Sequence, residues 1–276
     1  MMAPAATTPL AGSLAAFLDA SPVAALVEVR EAKGSTPREK GAWMLVSPEA
    51  ILGTIGGGQL EFLAIAKARE LIAQNIATGT LDIPLGPEIG QCCGGHVALD
   101  IRMTGREERD ALLRRAARVD AARPHVYLFG GGHVGRALAG VLAMLPVRTA
   151  IVETRAEALA QVPEGVEPHL TAVPEEVVRA APPRAAFVVL THDHALDFLV
   201  AAEALAREDA AYVGMIGSKT KKETFRRWYM RHGGDERHLA RLIIPIGGEE
   251  LRDKRPAVIA VMTAAQVMRH LGKSGT

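Results

Sequence analysis

Apolar and polar positions follow two different grammars along this chain. In the first half, helix and strand patterns do not alternate regularly. Apolar spacing behind Pro9 predicts a helix over 10–20, and a valine-rich run predicts a strand over 23–31. Glycines and Pro37 interrupt the pattern before a strand over 42–47. A further apolar run over 51–55 enters Gly56-Gly57-Gly58. The spacing of Leu60, Leu63, Ile65, Ala68, Leu71 and Ile72 then predicts an amphipathic helix over 59–76. Short strands are expected over 81–85 and 97–103, with a turn containing both cysteines between them. A charged, alanine-rich helix over 105–122 leads to a boundary at Arg123-Pro124.

From His125 the pattern changes to strict alternation. Strands are expected over 125–129, 147–152, 185–190 and 211–216. Helices are expected over 133–145, 195–207, 219–231 and 255–271, with Ser218 capping the third and Pro256 in the first turn of the last. Strand–helix alternation of this kind implies a parallel sheet covered on both faces. The expected fold class is therefore α/β. A Rossmann-like doubly wound domain over 125–276 follows a linker helix over 105–124 and a smaller N-terminal α+β domain over 1–104.

Composition narrows the function classes. The chain has 276 residues, 49% of them apolar and 23% charged, enough for two ordinary cores. A net charge of +1 gives no field to recruit nucleic acid or an anionic membrane. The basic run 219–222 with Arg226 and Arg227 is local, a solvated helix face or an anion contact. Aromatics are only 4%, which argues against base stacking. No stretch approaches the roughly 18 apolar residues of a membrane span, and residues 1–10 lack the pattern of a secretory signal. Two neighbouring cysteines cannot staple a secreted fold. A cytoplasmic protein is expected, with neither nucleic acid nor membrane as partner.

Gly130-Gly131-Gly132-His133-Val134-Gly135 stands between an expected strand and an expected helix. Gly130, Gly132 and Gly135 have the spacing of a dinucleotide-binding turn, and with His133 they form a candidate anion cradle at a helix N-terminus. Glu153 follows about twenty residues on, where an acidic residue meets ribose-type hydroxyls. Two further loops should reach the same crevice: Thr191-His192-Asp193-His194, and Gly214 to Lys219 with Gly217 and Ser218. His192 and His194 beside Asp193 suit metal ligation or proton transfer. The alternative, preferred here, has Asp193 capping the next helix while the imidazoles bind phosphate or backbone, because zinc needs three or four ligands and the others are not evident. Lys219 is a phosphate partner or a solvated lysine.

The only cysteines are adjacent, in Gln91-Cys92-Cys93-Gly94-Gly95. Neighbouring Cα atoms lie about 3.8 Å apart, closer than a relaxed disulfide favours. One reading is two small apolar fillers in a turn. The other is a thiol site for a metal, sulfur or soft-ligand cofactor, with glycines that let a ligand approach the backbone.

Taken together, Gly34-Ser35-Thr36-Pro37-Arg38, the run Gly53 to Glu61, Gln91 to Gly95, Phe129 to Gly135, Thr191 to Asp197 and Tyr212 to Lys219 resemble the XdhC/CoxI family over nearly the whole chain. The resemblance implies an accessory protein that binds the molybdenum cofactor, Mo-molybdopterin. Such a protein holds the cofactor while a cysteine desulfurase replaces an oxo ligand by sulfur, then helps insert it into the cofactor-binding subunit of apo-xanthine dehydrogenase. Glu153 stands where relatives usually have aspartate. Beside that resemblance, a pterin with a phosphate at one end and a metal-bound dithiolene at the other needs three things. Gly130 to Gly135 offers the anion cradle, Gln59, Glu61 and Gln91 offer polar groups for amide-like edges, and Cys92 or Cys93 offers a soft thiolate. Gly57, Gly58 and Gly94 open backbone N–H groups to the ligand. Cys93, directly before the glycines, is the expected functional thiol and metal contact, with Cys92 as its packing neighbour. Arg38 is expected to grip a phosphate or an acidic partner, the alternative being a surface pair with Glu39 or Glu31.

Two rival readings stand beside this one. An NAD(P)-dependent oxidoreductase with a nucleotide in the Rossmann crevice uses the second half and leaves the cysteine and triple-glycine segments idle. A pure docking module for the dehydrogenase would carry no cofactor. A homodimer is compatible with each reading.

Overall fold

The computed structural model describes residues 11–86, 94–248 and 250–272. They fall into two compact units that meet in the chain between Ala122 and Arg123.

The first unit is built on strands β1 (Ala25–Lys33), β2 (Trp43–Val46), β3 (Ile51–Gly53), β4 (Thr78–Leu85) and β5 (Gly95–Met103), in the order β3-β2-β1-β5-β4. Every neighbouring pair is antiparallel. Successive side chains point to opposite faces, and both faces are covered. Ala25, Val27 and Val29 of β1 pack with Leu60, Ala64, Ala68 and Leu71 of helix α2 (Gly58–Gln74). Leu26, Trp43 and Leu45 face the other way, onto Leu14 and Leu18 of α1 (Ala11–Ala20) and Leu112 and Ala116 of α3 (Arg106–Ala121). The helix expected as a linker is α3, which is thus part of the first unit's outer layer. Its Arg109 guanidinium fixes α1 by donating to the carbonyls of Leu18, Ser21 and Pro22 at 3.0, 2.7 and 2.7 Å.

The second unit carries the expected doubly wound sheet. Its strands are β6 (His125–Phe129), β7 (Arg148–Glu153), β8 (Glu167–Leu170), β9 (Ala186–Val189), β10 (Tyr212–Met215) and β11 (Leu242–Ile243). All pairs are parallel, in the order β11-β10-β9-β6-β7-β8. The order reverses between β6 and β9, which is where such sheets open a crevice beyond their carboxyl ends. Val126, Leu128 and Val188 face α4 (His133–Ala143) and α9 (Pro256–Gly272). Phe129, Phe187 and Val189 face α5 (Pro174–Ala180), α6 (His194–Ala206) and α7 (Lys219–Arg231). A short helix, α8 (Glu236–Leu239), precedes β11.

The β8–α5 segment was not expected from the pattern. All residues of β8 are exposed, so no apolar periodicity marks it, and Pro168 stands within it. It is the outermost strand, paired through Ala150↔Glu167 and Val152↔His169.

Candidate functional site

In the first unit, three turns from distant parts of the sequence pack into one cluster. Gly56, at φ +128°, lies so close to Pro37 that a Cβ there would sit 2.7 Å from the proline ring carbons. Gly95 presses equally hard on the same segment, since a Cβ would meet the Ser35 carbonyl oxygen at 2.3 Å. Ser35 and Gly94 form an isolated parallel bridge, and the Gly94 N–H donates to Leu85 O at 2.8 Å. The run Gly34 to Arg38 is therefore held between the triple glycine and the residues that follow Cys93. Gln91, Cys92 and Cys93 themselves lie outside the described residues.

Glu61 organises the triple-glycine turn. Its Oε2 accepts the N–H groups of Ile55 and Gly57, each at 3.1 Å, and the hydroxyl of Thr54 at 2.5 Å. Thr54 Oγ1 in turn accepts the Gly56 N–H at 3.0 Å. One of the residues read as a pterin contact thus braces the turn with one oxygen, while Oε1 has no partner among the described residues. Helix α2 starts at Gly58 with Gly57 as N-cap and no capping side chain, and Gln59 is exposed in its first turn. The first N–H groups of such a helix are unspent and carry a partial positive charge. Arg38 is half-buried beside this turn and has no ion-pair partner among the described residues. The surface pair considered for it is not formed: Glu31 is taken by Lys33 at 2.9 Å, whose ammonium lowers the Glu31 pKa by hydrogen bonding and by its charge.

In the second unit, the expected glycine loop follows β6 and opens α4. Gly130 adopts φ +122°, and a Cβ on it would meet Leu190 O at 2.6 Å. A Cβ on Gly135 would fall 2.0 Å from Gly130 O, so the third glycine is required by helix–strand contact. Gly132 has open space around it. Gly132 and His133 are exposed at the start of α4. Arg136, one residue past the motif, anchors the loop by donating from Nη1 to Gly131 O at 2.7 Å.

Glu153 ends β7 and is 4% exposed. It turns inward, onto its own loop. Oε2 accepts the Gly131 N–H at 3.0 Å, Oε1 accepts the Thr154 N–H at 2.9 Å, and Arg155 lies within 3.5 Å of both oxygens. Burial raises its pKa, but those hydrogen bonds and the Arg155 charge outweigh burial and hold the carboxyl below its ordinary range.

In the Thr191 loop the expected cap is formed. Asp193 is the N-cap of α6, and its Oδ1 accepts the N–H groups of Ala195 and Leu196 at 2.8 and 3.4 Å. His192 and His194 are exposed. Among the described residues no group of three or more His, Cys, Asp or Glu is arranged to hold a metal ion. Ser218 caps α7 by accepting the Lys221 N–H at 3.4 Å, and Lys219 is exposed. The lysine that does engage is Lys221. Its ammonium pairs with the fully buried carboxylate of Asp197 and donates to Ile216 O at 3.0 Å. Asp197 also accepts from Thr191 N at 3.0 Å and lies 2.7 Å from Thr191 Oγ1. One buried ion pair therefore ties together the loops after β9 and β10. Gly217 makes room for it, because a Cβ there would meet Lys221 Cδ at 2.7 Å.

Comparison with known proteins decides the family. The model of the XdhC Rossmann domain matches residues 126–267, and that of the XdhC and CoxI family matches residues 18–83. The chain belongs to the XdhC and CoxI family. Among curated proteins this XdhC/CoxI member is 26% identical, over 254 residues, to the uncharacterized protein YqeB of Escherichia coli strain K12. That alignment covers 89% of this chain but 43% of YqeB, so the chain spans less than half the length of that relative. Among solved structures, a protein of Bacillus halodurans described as a xanthine dehydrogenase superposes with a TM-score of 0.80 over 96% of both chains. At 16% identity that likeness establishes the fold. No helix among the described residues is long and apolar enough to cross a membrane.

Two residues of this XdhC/CoxI chain escaped the sequence reading. Lys221 and Asp197 stand 24 positions apart, and neither has a local signal for the pair. Arg136 was legible in principle, as a cation one residue beyond a glycine cradle.

Proposed function

We propose that the protein is a molybdenum cofactor-binding chaperone that holds the cofactor during sulfuration and delivers it to apo-xanthine dehydrogenase. The observation that carries this reading is the cluster in the first unit. Arg38 without an ion-pair partner among the described residues, an uncapped helix N-terminus and the segment following Cys93 are packed around one glycine-lined turn. Family membership supports the same reading, and a Bacillus halodurans neighbour described as a xanthine dehydrogenase is in keeping with it.

The residues suit the ligand's chemistry. Arg38 and the free N–H groups at 58–60 match a terminal phosphate. Gln59 can exchange hydrogen bonds with an amide-like pterin edge, and Cys93 supplies a thiolate for a soft metal. When bound, the cofactor supplies the molybdenum centre that a cysteine desulfurase partner converts from oxo to sulfido form. The protein's part is to hold the phosphate, shield the metal end with glycine-flanked backbone, and present the loaded cofactor to the dehydrogenase. In this role the chain works in the cytoplasm and turns over no substrate of its own.

The test is elemental analysis of molybdenum in protein purified from molybdate-fed cells. The wild type should carry metal, and Cys93→Ala and Arg38→Ala should each lose most of it. Full occupancy in Cys93→Ala would remove the thiol from the site. Tight NADH binding with turnover of any substrate would replace the chaperone reading with an oxidoreductase.

A further inference from the structure

The Rossmann unit has a second hollow, at the opposite end of its sheet from the glycine loop. It encloses about 310 Å³ and is lined by His125 and Tyr127 of β6, Arg148 and Ala150 of β7, and Glu167 and His169 of β8. Its origin is in the register. Parallel pairing sets His125 opposite Arg148, Tyr127 opposite Ala150, Ala150 opposite Glu167, and Val152 opposite His169. Paired residues share a face, so these side chains stand in rows on the α5 side of the sheet. Helix α5 is only seven residues long and reaches the hollow with Val177 and Ala180. Ala150, the small residue in the middle row, leaves the floor low between Tyr127 and Glu167.

The positions lining this hollow are exposed at Arg148, Glu167 and His169 and half-buried at His125 and Tyr127, because the short α5 leaves this end of the sheet open. They carry two imidazoles, a phenol, a guanidinium and a carboxylate. None of the five side chains makes a hydrogen bond or ion pair to another described residue, although each can make several. Arg148 and Glu167 carry opposite charges into one hollow without meeting. They sit on neighbouring strands two residues out of step, about 8 Å apart at the backbone by strand spacing and rise. Tyr127 forms an aromatic wall, stacked with His125 at 6.1 Å and with Phe187 at 5.8 Å.

We propose that this hollow is a binding site for a small zwitterion of the α-amino acid class, its carboxylate on Arg148, its ammonium between Glu167 and the Tyr127 ring face. The gap between the two charges then has the polarity of the ligand's own dipole. Arg148 offers a planar fork to a carboxylate, and a ring face attracts an ammonium. The volume stands at the small end of ligand pockets, which fits one amino acid and excludes a dinucleotide. Burial and the Arg148 charge lower the His125 pKa, and burial with the Glu167 charge raises that of Tyr127. Both rings are therefore neutral at neutral pH, available as hydrogen-bond donors without adding charge.

The experiment is an NMR titration of the full chain, following the imidazole signals of His125 and His169, with glycine, glutamate, glutamine and arginine as probes. N-acetyl and carboxamide derivatives of each run alongside. The expected result is saturable shifts of both imidazoles with at least one free amino acid. Those shifts should be lost with its N-acetyl and carboxamide forms and weakened by about tenfold or more in Arg148→Gln and in Glu167→Gln. Both substituted residues are exposed, so the variants should fold. Flat titrations with all four amino acids, equal response to the blocked derivatives, or undiminished affinity in both variants would each overturn the proposal.

Discussion

The two units each contain a glycine turn running into a helix, and each turn is braced by a glutamate. Their state of completion differs. In the second unit, Glu153 is buried, and both oxygens are engaged by Gly131, Thr154 and Arg155. In the first unit, Glu61 braces the turn through a single oxygen, Arg38 pairs with no described residue, and α2 begins without a capping side chain. Both helices start without a capping side chain, at Gly132 and at Gly57. The difference lies in the bracing glutamate: both oxygens of Glu153 are spent on its own loop, whereas Glu61 uses one and Arg38 beside it pairs with no described residue. A dinucleotide-type fingerprint can thus carry a glutamate that serves the architecture of its own loop.

Substitutions can break this contrast, beginning where the effect is largest. Gly135→Ala drives a Cβ into the Gly130 carbonyl, with 2.0 Å available, and should destabilise the second unit by about 3 kcal/mol or more. Gly132→Ala, with open space around it, should cost under about 1 kcal/mol. Urea denaturation followed by circular dichroism separates them, and equal losses would mean that the loop is not held by helix–strand contact. Lys221→Met strands the buried Asp197 carboxylate and should cost about 3–5 kcal/mol, much of it restored in the double variant Asp197→Leu/Lys221→Met. A single variant as stable as the parent would show the pair to be dispensable.

A smaller effect tests the sealed state of Glu153. Its folded pKa is lowered, so the carboxylate stabilises the fold fully above its unfolded value of about 4.3, and that contribution fades as pH falls through the folded value. Glu153→Gln should therefore flatten the acid limb of stability against pH. An unchanged limb would mean that those hydrogen bonds do not distinguish charge. Arg38→Ala should show the least, a change within about 0.5 kcal/mol, because no described partner is lost. A large loss of stability there would make Arg38 part of the scaffold and remove the asymmetry between the turns.

Much of the fold was legible because apolar periodicity reports burial directly. The Rossmann strands from His125 to Met215 run through covered layers and read as short apolar runs. The β8–α5 segment did not, since an edge strand exposed on both faces leaves no alternation to find. Asp193 as a cap could be foreseen because its partners are the next few amides. Choosing Lys219 over Lys221 could not be avoided locally: the decision is made by Gly217, which opens a path for the longer reach to Asp197. Glu61 was found for its position but not for its task, because its partners are backbone amides that every sequence possesses.

Pro168 carries a consequence for how copies of the molecule coexist. The Thr171 amide points to Glu153 O, so by alternation residues 168 and 170 direct their backbone away from the sheet. A proline at the first of these leaves that rim a donor short, and an approaching strand from another molecule finds an interrupted ladder. Lateral pairing along that rim would go one hydrogen bond short for want of a single hydrogen atom.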